Sequence, residues 1–165
     1  GQKNAIVKVG SVLFAHAGIG PWVEKFSISE INSTVRDWMQ SEQGNGKKPE
    51  ESSRWVVGSS GPTATGLFSS RKPRPDSFQF TKEQVDRWLD KLKAQYLVVG
   101  HVPTADASVS LEHPRFGKSV VNIDTGIGAS EGGHLSALEI KDLDADPIAL
   151  QFARPAPSPC AVFEK

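Results

Sequence analysis

Two histidines stand directly after apolar stretches of the chain, each in a tight loop that contains glycine. His16 follows the run Val12–Ala15, and His101 comes one residue after the run Tyr96–Val99. Neutral imidazole is the commonest protein ligand for transition metals. The two histidines are 85 positions apart in the sequence, so they can meet at one metal ion only if the two apolar stretches form neighbouring strands.

The position of the two histidines favours a functional site. In layered α/β folds, functional groups collect at the carboxyl ends of the strands, where the loops converge. Glycine close to each histidine, at Gly18 and Gly100, lets backbone and ligand approach closely. A histidine at a strand end is nevertheless often a hydrogen-bonded loop residue, and the residues alone leave metal binding and this plain alternative equally open.

Short strands are predicted to position these loops. Residues 5–9 and 11–15 are predicted to form two strands that meet at Gly10, and the apolar run Val12–Ala15 is typical of a strand covered on both faces. Further strands are predicted at 96–99, 120–123, 135–140 and 148–152.

Two helices are predicted between the histidine-bearing strands, each begun by a capping box. Ser27 with Glu30, and Thr81 with Gln84, have the residue types and spacing of such boxes. Apolar residues then recur at helical spacing and give each helix one face for the core. In the first helix they are Ile28, Ile31, Val35, Trp38 and Met39, and in the second Val85, Trp88, Leu89 and Leu92.

The order of these elements indicates a mixed α/β layer fold with an antiparallel meander at the end. One domain is predicted over residues 1–153 and a Pro-rich tail over 154–165. Residues 41–53 are polar without periodicity, and 58–75 are rich in Gly, Ser, Thr, Pro and Arg, so both are predicted to be surface loops.

Composition narrows the function classes. The chain has 165 residues, 38% of them hydrophobic and 23% charged, which suits one domain with a sizeable core. Its formal net charge is zero, so neither a nucleic-acid partner nor a polybasic membrane anchor is predicted. No apolar run approaches the roughly 20 residues that span a bilayer. Cys160 is the single cysteine, so the fold does not depend on an intrachain disulfide and the cellular compartment stays open.

Three blocks of the sequence resemble those of a known enzyme family. LFAHAGI at 13–19, VVGHVPT at 98–104, and VVNIDTGIG at 120–128 with GGHLSALEI at 132–140 are similar to blocks of the calcineurin-like phosphoesterases, above all of the phosphoprotein phosphatase branch. The blocks stand in the family order, and the resemblance covers about residues 5–141. It implies an α/β fold, the C-terminal half of a metallophosphoesterase β-sandwich flanked by helices.

By this resemblance, His16 and His101 bind the same metal, one of two divalent transition metals (Mn, Fe or Zn). Such a metal pair clamps phosphate oxygens and turns a bridging water into a hydroxide-like nucleophile. Residues 67–71 loosely resemble the family's phosphate-binding stretch, so Arg71 is the candidate for phosphate binding, with a solvated loop arginine as an equal alternative.

Asp124 is predicted to orient a histidine or close a turn. His113 and His134 are predicted to be surface or turn residues.

The sequence lacks several blocks that the family has. The Asp-x-His, Gly-Asp-x-x-Asp-Arg and Gly-Asn-His blocks, which supply the other metal ligands and the histidine acid, do not occur, and only 15 residues precede His16. Ala17 replaces the usual glycine, and Val102 the usual threonine. The chain is therefore predicted to carry only part of a site, to need a missing N-terminal half or a homo-oligomer partner, and to have little activity alone.

The predicted function is metal-dependent hydrolysis of phosphate monoesters, of the serine/threonine phosphatase type, with a phosphorylated substrate. The alternative is a non-catalytic module of the same fold that binds a partner through the 41–53 loop and the Pro-rich tail. A serine hydrolase built on residues 58–61 is a weaker hypothesis, because that run lacks the G-x-S-x-G spacing of a nucleophile elbow.

Overall fold

In a computed structural model, the described part of the chain forms two β-sheets with helices packed against the larger one. The described residues are 4–16, 18–40, 80–101, 103–104, 108–127, 135–143 and 145–151. In chain order the elements are β1 (Ile6–Val9), β2 (Val12–Ala15), a 3-10 helix (Pro21–Glu24), α1 (Ile28–Gln40), α2 (Lys82–Leu92), β3 (Tyr96–Val99), β4 (Val120–Asn122), β5 (Ser136–Glu139) and β6 (Ile148–Gln151).

The first four strands form one mixed sheet in the order β1-β2-β3-β4. β1 and β2 are antiparallel and meet in a turn where Gly10 has a φ of 56°, a conformation that favours glycine. β2 is parallel to β3, and β3 is parallel to β4. Parallel neighbours need a long crossover, and the chain between β2 and β3 supplies it with α1 and α2. The carboxyl ends of β2, β3 and β4 therefore share one edge of the sheet.

Both faces of this sheet are covered at β2, β3 and β4, as expected for strands that lie between two layers, while Val7 and Val9 on the outer strand β1 are exposed. Toward the helices, the strands contribute Ile6, Leu13, Leu97 and Val120 to the main core. The opposite face contributes Val12, Tyr96, Val98 and Val121, which pack against the partly buried Leu138, Ile140 and Leu143. The β5–β6 region thus covers the side of the sheet that the helices leave open.

The two predicted capping boxes are confirmed. The Ser27 N–H and hydroxyl both donate to the Glu30 carboxylate at 2.7 Å, and the Glu30 N–H donates back to the Ser27 hydroxyl at 3.3 Å. Thr81 and Gln84 form the same reciprocal pair at the start of α2. Each box satisfies backbone donors that the first helical turn leaves free.

Most predicted elements are confirmed, and the end of the chain is partly different. β4 is parallel to β3, and the antiparallel pair β5–β6 forms a separate two-stranded sheet rather than continuing a meander. The predicted loops at 41–53 and 58–75 and the tail at 154–165 lie outside the described residues, as do the side chains of Trp38 and Met39. An α/β fold with a mixed sheet is established, whereas these elements do not establish a metallophosphoesterase β-sandwich. None of the described helices is long and apolar enough to cross a membrane.

A buried amide joins α1 to the edge of the sheet. Asn32 is 5% exposed, and its Oδ1 accepts the backbone N–H groups of Ala5 at 2.9 Å and Ile6 at 3.0 Å. Its Nδ2 donates to the Ile6 carbonyl at 2.8 Å. The side-chain amide thus takes the place that the peptide group of a neighbouring strand would take beside β1. Buried backbone groups need such partners, so Asn32 fixes α1 against β1.

We expect Asn32→Ala to lower the free energy of unfolding by about 3 kcal/mol, since it leaves buried backbone groups of Ile6 unpaired. Urea unfolding followed by far-UV circular dichroism measures this loss. Ser33→Ala is the matched control on α1, because the partly exposed Ser33 hydroxyl donates to the Glu30 carbonyl of the same helix and to no other described residue, and we expect a loss of less than about 0.5 kcal/mol. Equal losses for the two variants would contradict the role given to Asn32.

A polar cluster joins the start of α2 to β4. Lys82 Nζ lies 2.6 Å from Asp86 Oδ2, and the Ser119 hydroxyl donates to Asp86 Oδ1. Burial acts to raise the pKa of Asp86, but the hydrogen bonds from Lys82 and Ser119 and the lysine charge outweigh it, so this pKa lies below its ordinary value of 3.8.

Because the pKa of Asp86 is lowered by folding, its contribution to stability is present above the ordinary value of 3.8 and is lost as the pH falls through the lowered value. We expect Asp86→Asn to destabilise the chain near neutral pH by up to about 1 kcal/mol, and the difference from wild type to shrink in acid. Chemical unfolding at neutral and acidic pH measures this trend. Asp90→Asn, on an exposed position of α2, is the control that should show no such trend. A loss in Asp86→Asn that stays constant with pH would disprove the expectation.

Candidate functional site

His16 and His101 lie side by side at the carboxyl ends of β2 and β3. The parallel register pairs Phe14 with Val98, and the ladder continues as the Gly100 N–H donates to the His16 carbonyl at 2.8 Å. His16 Nε2 and His101 Nδ1 are 2.9 Å apart, within hydrogen-bond distance. The ring centroids are 4.8 Å apart, and the ring planes are inclined by 72°. Two imidazoles that are distant in sequence thus form one histidine pair.

The two imidazoles of the histidine pair differ in exposure. His16 is exposed and His101 is half-buried. His101 Nε2 is buried and has no hydrogen-bond partner among the described residues. In a neutral pair, one of the two facing nitrogens donates and the other accepts, so His101 Nε2 carries or lacks a proton according to the tautomer. The pair can pass a proton across its hydrogen bond, and His101 Nε2 lies buried behind it.

His101 has a backbone conformation that L-residues rarely adopt. Its φ is 78°, and a residue with a Cβ atom loses about 1–2 kcal/mol in the left-handed region. Strained backbone of this kind clusters at functional sites, where the surrounding structure holds it. The hydrogen bond to His16 and the pairing of Gly100 with the end of β2 hold it here.

The end of β4 adds a third side to the site. The Ile123 N–H donates to the Val99 carbonyl at 2.9 Å, which continues the parallel pairing beyond β4. Asp124 Oδ1 then accepts the backbone N–H two residues further on at 3.1 Å, so Asp124 closes a turn. A Cβ atom at Gly100 would lie 3.8 Å from the His16 carbonyl and 3.9 Å from Asp124 Cβ. Gly100 therefore lies close to both the His16 backbone and the Asp124 turn.

A cleft of about 530 Å³ opens beside β4, and we name it the β4 cleft. Its polar lining comes from Thr104, Ser108, Ser110, Glu112, His113 and Asn122. Ser110 and Asn122 exchange two backbone hydrogen bonds of 2.9 Å, which hold this wall against β4. The Thr104 N–H donates to the Asp124 carbonyl at 2.8 Å, so the β4 cleft and the Asp124 turn are joined.

His113 lies in a tight turn, as predicted, and also lines the β4 cleft, which was not predicted. Its Nδ1 accepts the Arg115 N–H at 3.1 Å, and its ring stacks on Phe116 at 4.8 Å. Burial lowers the pKa of His113 below 6.5, and the charge of Arg115 lowers it further. The imidazole is therefore neutral at pH 7. No motif marks the cleft, because single hydroxyl and amide residues are common in loops.

The remaining predictions for single residues have different outcomes. The structure brings His16 and His101 together, while their role as metal ligands stays a prediction. Arg71, the candidate phosphate-binding residue, and His134 lie outside the described residues. The predicted partners, a missing N-terminal half or a second copy, also stay predictions.

Comparison with known proteins gives a fold but no family. No protein-family model matches the sequence. Solved structures of a cold-active protein tyrosine phosphatase, one of them from a psychrophilic Shewanella species, match with TM-scores of 0.55 to 0.57 and 21% sequence identity. The matches cover 80% of this chain and 36% to 37% of those chains. At this identity the likeness shows the fold alone, and the chain spans just over a third of the length of these solved chains.

The assignment to the calcineurin-like phosphoesterases is corrected by these comparisons. The solved structures that share the fold are described as protein tyrosine phosphatases, and no family model supports the phosphoprotein phosphatase branch. The predicted two-metal function of the serine/threonine type is overturned by the same finding. Each of the three blocks combines a buried strand with a loop of glycine, histidine or proline. Such sequences also follow from the geometry of a parallel strand that ends in a tight loop.

The predicted cofactor, two divalent transition metals (Mn, Fe or Zn), is corrected as well. A catalytic metal site usually has three protein ligands, and a two-metal site needs more. In the part of the chain that the structure describes, no group of three or more His, Cys, Asp or Glu side chains is placed to hold an ion. The described residues therefore do not supply the ligands of a metal pair.

The backbone strain at His101 predicts opposite effects of glycine at the two histidines. We expect His101→Gly to be more stable than His101→Ala by about 1 kcal/mol, because glycine adopts a positive φ without steric cost. His16 is not among the described residues with positive φ, so we expect His16→Gly to be less stable than His16→Ala by about 0.5–1 kcal/mol. Chemical unfolding of the four variants measures both differences. A preference for alanine at both positions would contradict the left-handed conformation of His101.

Proposed function

We propose that this chain carries part of the active site of a phosphatase that hydrolyses phosphate monoesters, with His16 in contact with the phosphoryl group and His101 positioning His16. The observation that carries the proposal is the 2.9 Å contact between His16 Nε2 and His101 Nδ1 at the ends of two adjacent parallel strands. The solved structures that share the fold are named as phosphatases, which supports a hydrolase that acts on phosphate esters.

A pair of imidazoles suits the charges of this reaction. The oxygen of a water molecule forms a bond to phosphorus, and the bond from phosphorus to the leaving oxygen breaks. An imidazolium beside the phosphoryl oxygens stabilises their negative charge and can give its proton to the leaving oxygen. A neutral imidazole can accept the proton of the attacking water. A histidine pair that holds one extra proton has N–H groups at both nitrogens that face away from the shared hydrogen bond, so it acts first as the acid and gives a proton to the leaving oxygen. The neutral pair that results can then take up the proton of the attacking water.

The two histidines have different parts in this proposal. His16 is exposed at the open edge of the sheet, so it is placed to meet the phosphate. His101 is half-buried, its Nε2 is buried, and its strained turn holds it in place, so it orients His16 through the shared hydrogen bond.

The substrate class that we propose is aryl phosphate, with phosphotyrosine in a protein as the main case. The solved chains of this fold are named protein tyrosine phosphatases. A phosphate at the end of a long aromatic side chain can reach the exposed His16 without the substrate backbone entering the sheet edge.

The alternative function, a non-catalytic module that binds a partner, is favoured by one observation. Val7 and Val9 on the outer strand β1 are 40% and 48% exposed, and exposed apolar positions on an outer strand mark a surface that another chain can cover. A second copy, or a further segment of a longer polypeptide, is the partner in this alternative.

Phosphate binding tests the histidine pair without requiring turnover. We expect the imidazole Hε1 resonances of His16 and His101 to shift together when inorganic phosphate or vanadate is added, because the anion binds at His16 and the hydrogen bond couples His101 to it. In the same protein, we expect hydrolysis of p-nitrophenyl phosphate to fall by about 100-fold or more in His16→Ala and in His101→Ala. Arg87→Ala, on an exposed position of α2, is the control that should keep full activity.

The outcomes separate the alternatives. If neither imidazole responds to phosphate, the proposal fails and the partner-binding module is favoured. If activity disappears on chelation and returns with a transition metal, the imidazoles act as metal ligands rather than as proton carriers. Activity that survives chelation and depends on both histidines supports proton transfer by the pair.

A further inference from the structure

We propose that the β4 cleft binds the peptide that flanks the phosphorylated residue and that it prefers a basic residue there. This inference rests on the proposed phosphatase function, since it specifies the substrate class of the same site.

The β4 cleft lies within reach of the histidine pair. Thr104 on its rim is three residues from His101, and three residues span at most about 11 Å. The Thr104 N–H bonds the Asp124 carbonyl at 2.8 Å, and the His16 carbonyl and Asp124 Cβ both lie within 4 Å of the position that a Cβ atom at Gly100 would take. A substrate whose phosphate is held at the pair therefore places its neighbouring residues over the cleft.

The β4 cleft is rich in hydrogen-bond acceptors. The Thr104 hydroxyl donates its proton to the Ser108 carbonyl at 2.6 Å, and the Ser110 hydroxyl donates to the Glu112 carbonyl at 2.9 Å. Because each proton is bound within the loop, each hydroxyl oxygen keeps lone pairs for a donor on the ligand. The Glu112 carboxylate is a further acceptor. Peptide N–H groups, ammonium groups and guanidinium groups are the donors that match this lining.

The charge of the cleft selects among these donors. Of the described residues that line it, Glu112 alone is formally charged at neutral pH, because burial and Arg115 hold the pKa of His113 below its ordinary value. Glu112 is exposed and forms no ion pair with another described residue. A carboxylate without a cation attracts lysine or arginine and repels an acidic segment.

The size of the cleft fits a side chain together with the peptide groups beside it. Its volume of about 530 Å³ lies within the range of roughly 300–1,000 Å³ that ligand pockets occupy. A free phosphate ion would leave most of this volume unfilled, whereas the cleft has room for a long basic side chain together with the neighbouring peptide groups.

Binding to the cleft can be measured separately from catalysis. We would map amide ¹H–¹⁵N shifts during titration with two unphosphorylated tyrosine peptides that differ only in an arginine or a glutamate next to the tyrosine. We expect the basic peptide to shift the amides of Ser108, Ser110 and Glu112, and the acidic peptide to bind several-fold more weakly. Glu112→Gln is expected to weaken the basic peptide about two- to fivefold. Asp90→Asn removes the same charge on an exposed position of α2 and should leave the affinity unchanged.

Two results would overturn the proposal: no shift at the cleft residues, or equal affinity of both peptides for wild type and Glu112→Gln. The failure of this proposal and that of the phosphatase function are distinguishable. Peptide binding in the cleft without a phosphate response at His16 and His101 supports the cleft and refutes the phosphatase. A phosphate response at the histidines without peptide shifts in the cleft supports the phosphatase and refutes the peptide site in the cleft.

Discussion

The parallel pairing of β2 with β3 is the constraint on which the rest of the site depends. Leu13 pairs with Leu97 in this register, and both side chains belong to the core beneath the helices. A slip by one residue would turn each side chain to the opposite face of the sheet, so the burial of these leucines fixes the register. The register then brings the strand ends together, and His16 meets His101. The contact between the imidazoles is thus a consequence of hydrophobic packing several residues away rather than of an attraction between two histidines.

Local features of this fold could be predicted because they are encoded over a few residues. The capping box of Ser27 with Glu30 needs only two residue types three positions apart, and the buried strands needed only a short apolar run. Which strands pair with one another depends on residues far apart in the sequence. This explains why the parallel pairing of β4 with β3 was not predicted. Asn32 shows the same limit. A single asparagine in an amphipathic helix has the sequence pattern of a surface residue, and only the position of the β1 edge explains why it is buried.

The candidate site divides in the same way. The histidine pair could be predicted from the sequence because both histidines stand in the same context, directly after a short apolar run that forms a buried strand. The β4 cleft could not, because its lining combines hydroxyl, amide and carboxylate groups from separate turns, and no spacing rule links them. The family resemblance had a related weakness. Its short blocks are typical of a buried strand that ends in a tight loop, and such strand ends are found in proteins with different functions. Matching strand ends therefore constrained the fold more strongly than the function.

The histidine pair and the β4 cleft are attached to the same three strand ends. The Gly100 N–H bonds the end of β2, the Ile123 N–H bonds the end of β3, and the Thr104 N–H bonds the Asp124 turn after β4. These hydrogen bonds join backbone groups, so this part of the surface is already ordered before a ligand binds. A substrate that bridges pair and cleft would therefore meet two parts of one preorganised surface, and little of its binding free energy would be lost in ordering the protein. Discrimination between substrates then depends on the side chains that line this surface. In the cleft, the charged side chain among the described residues is that of Glu112.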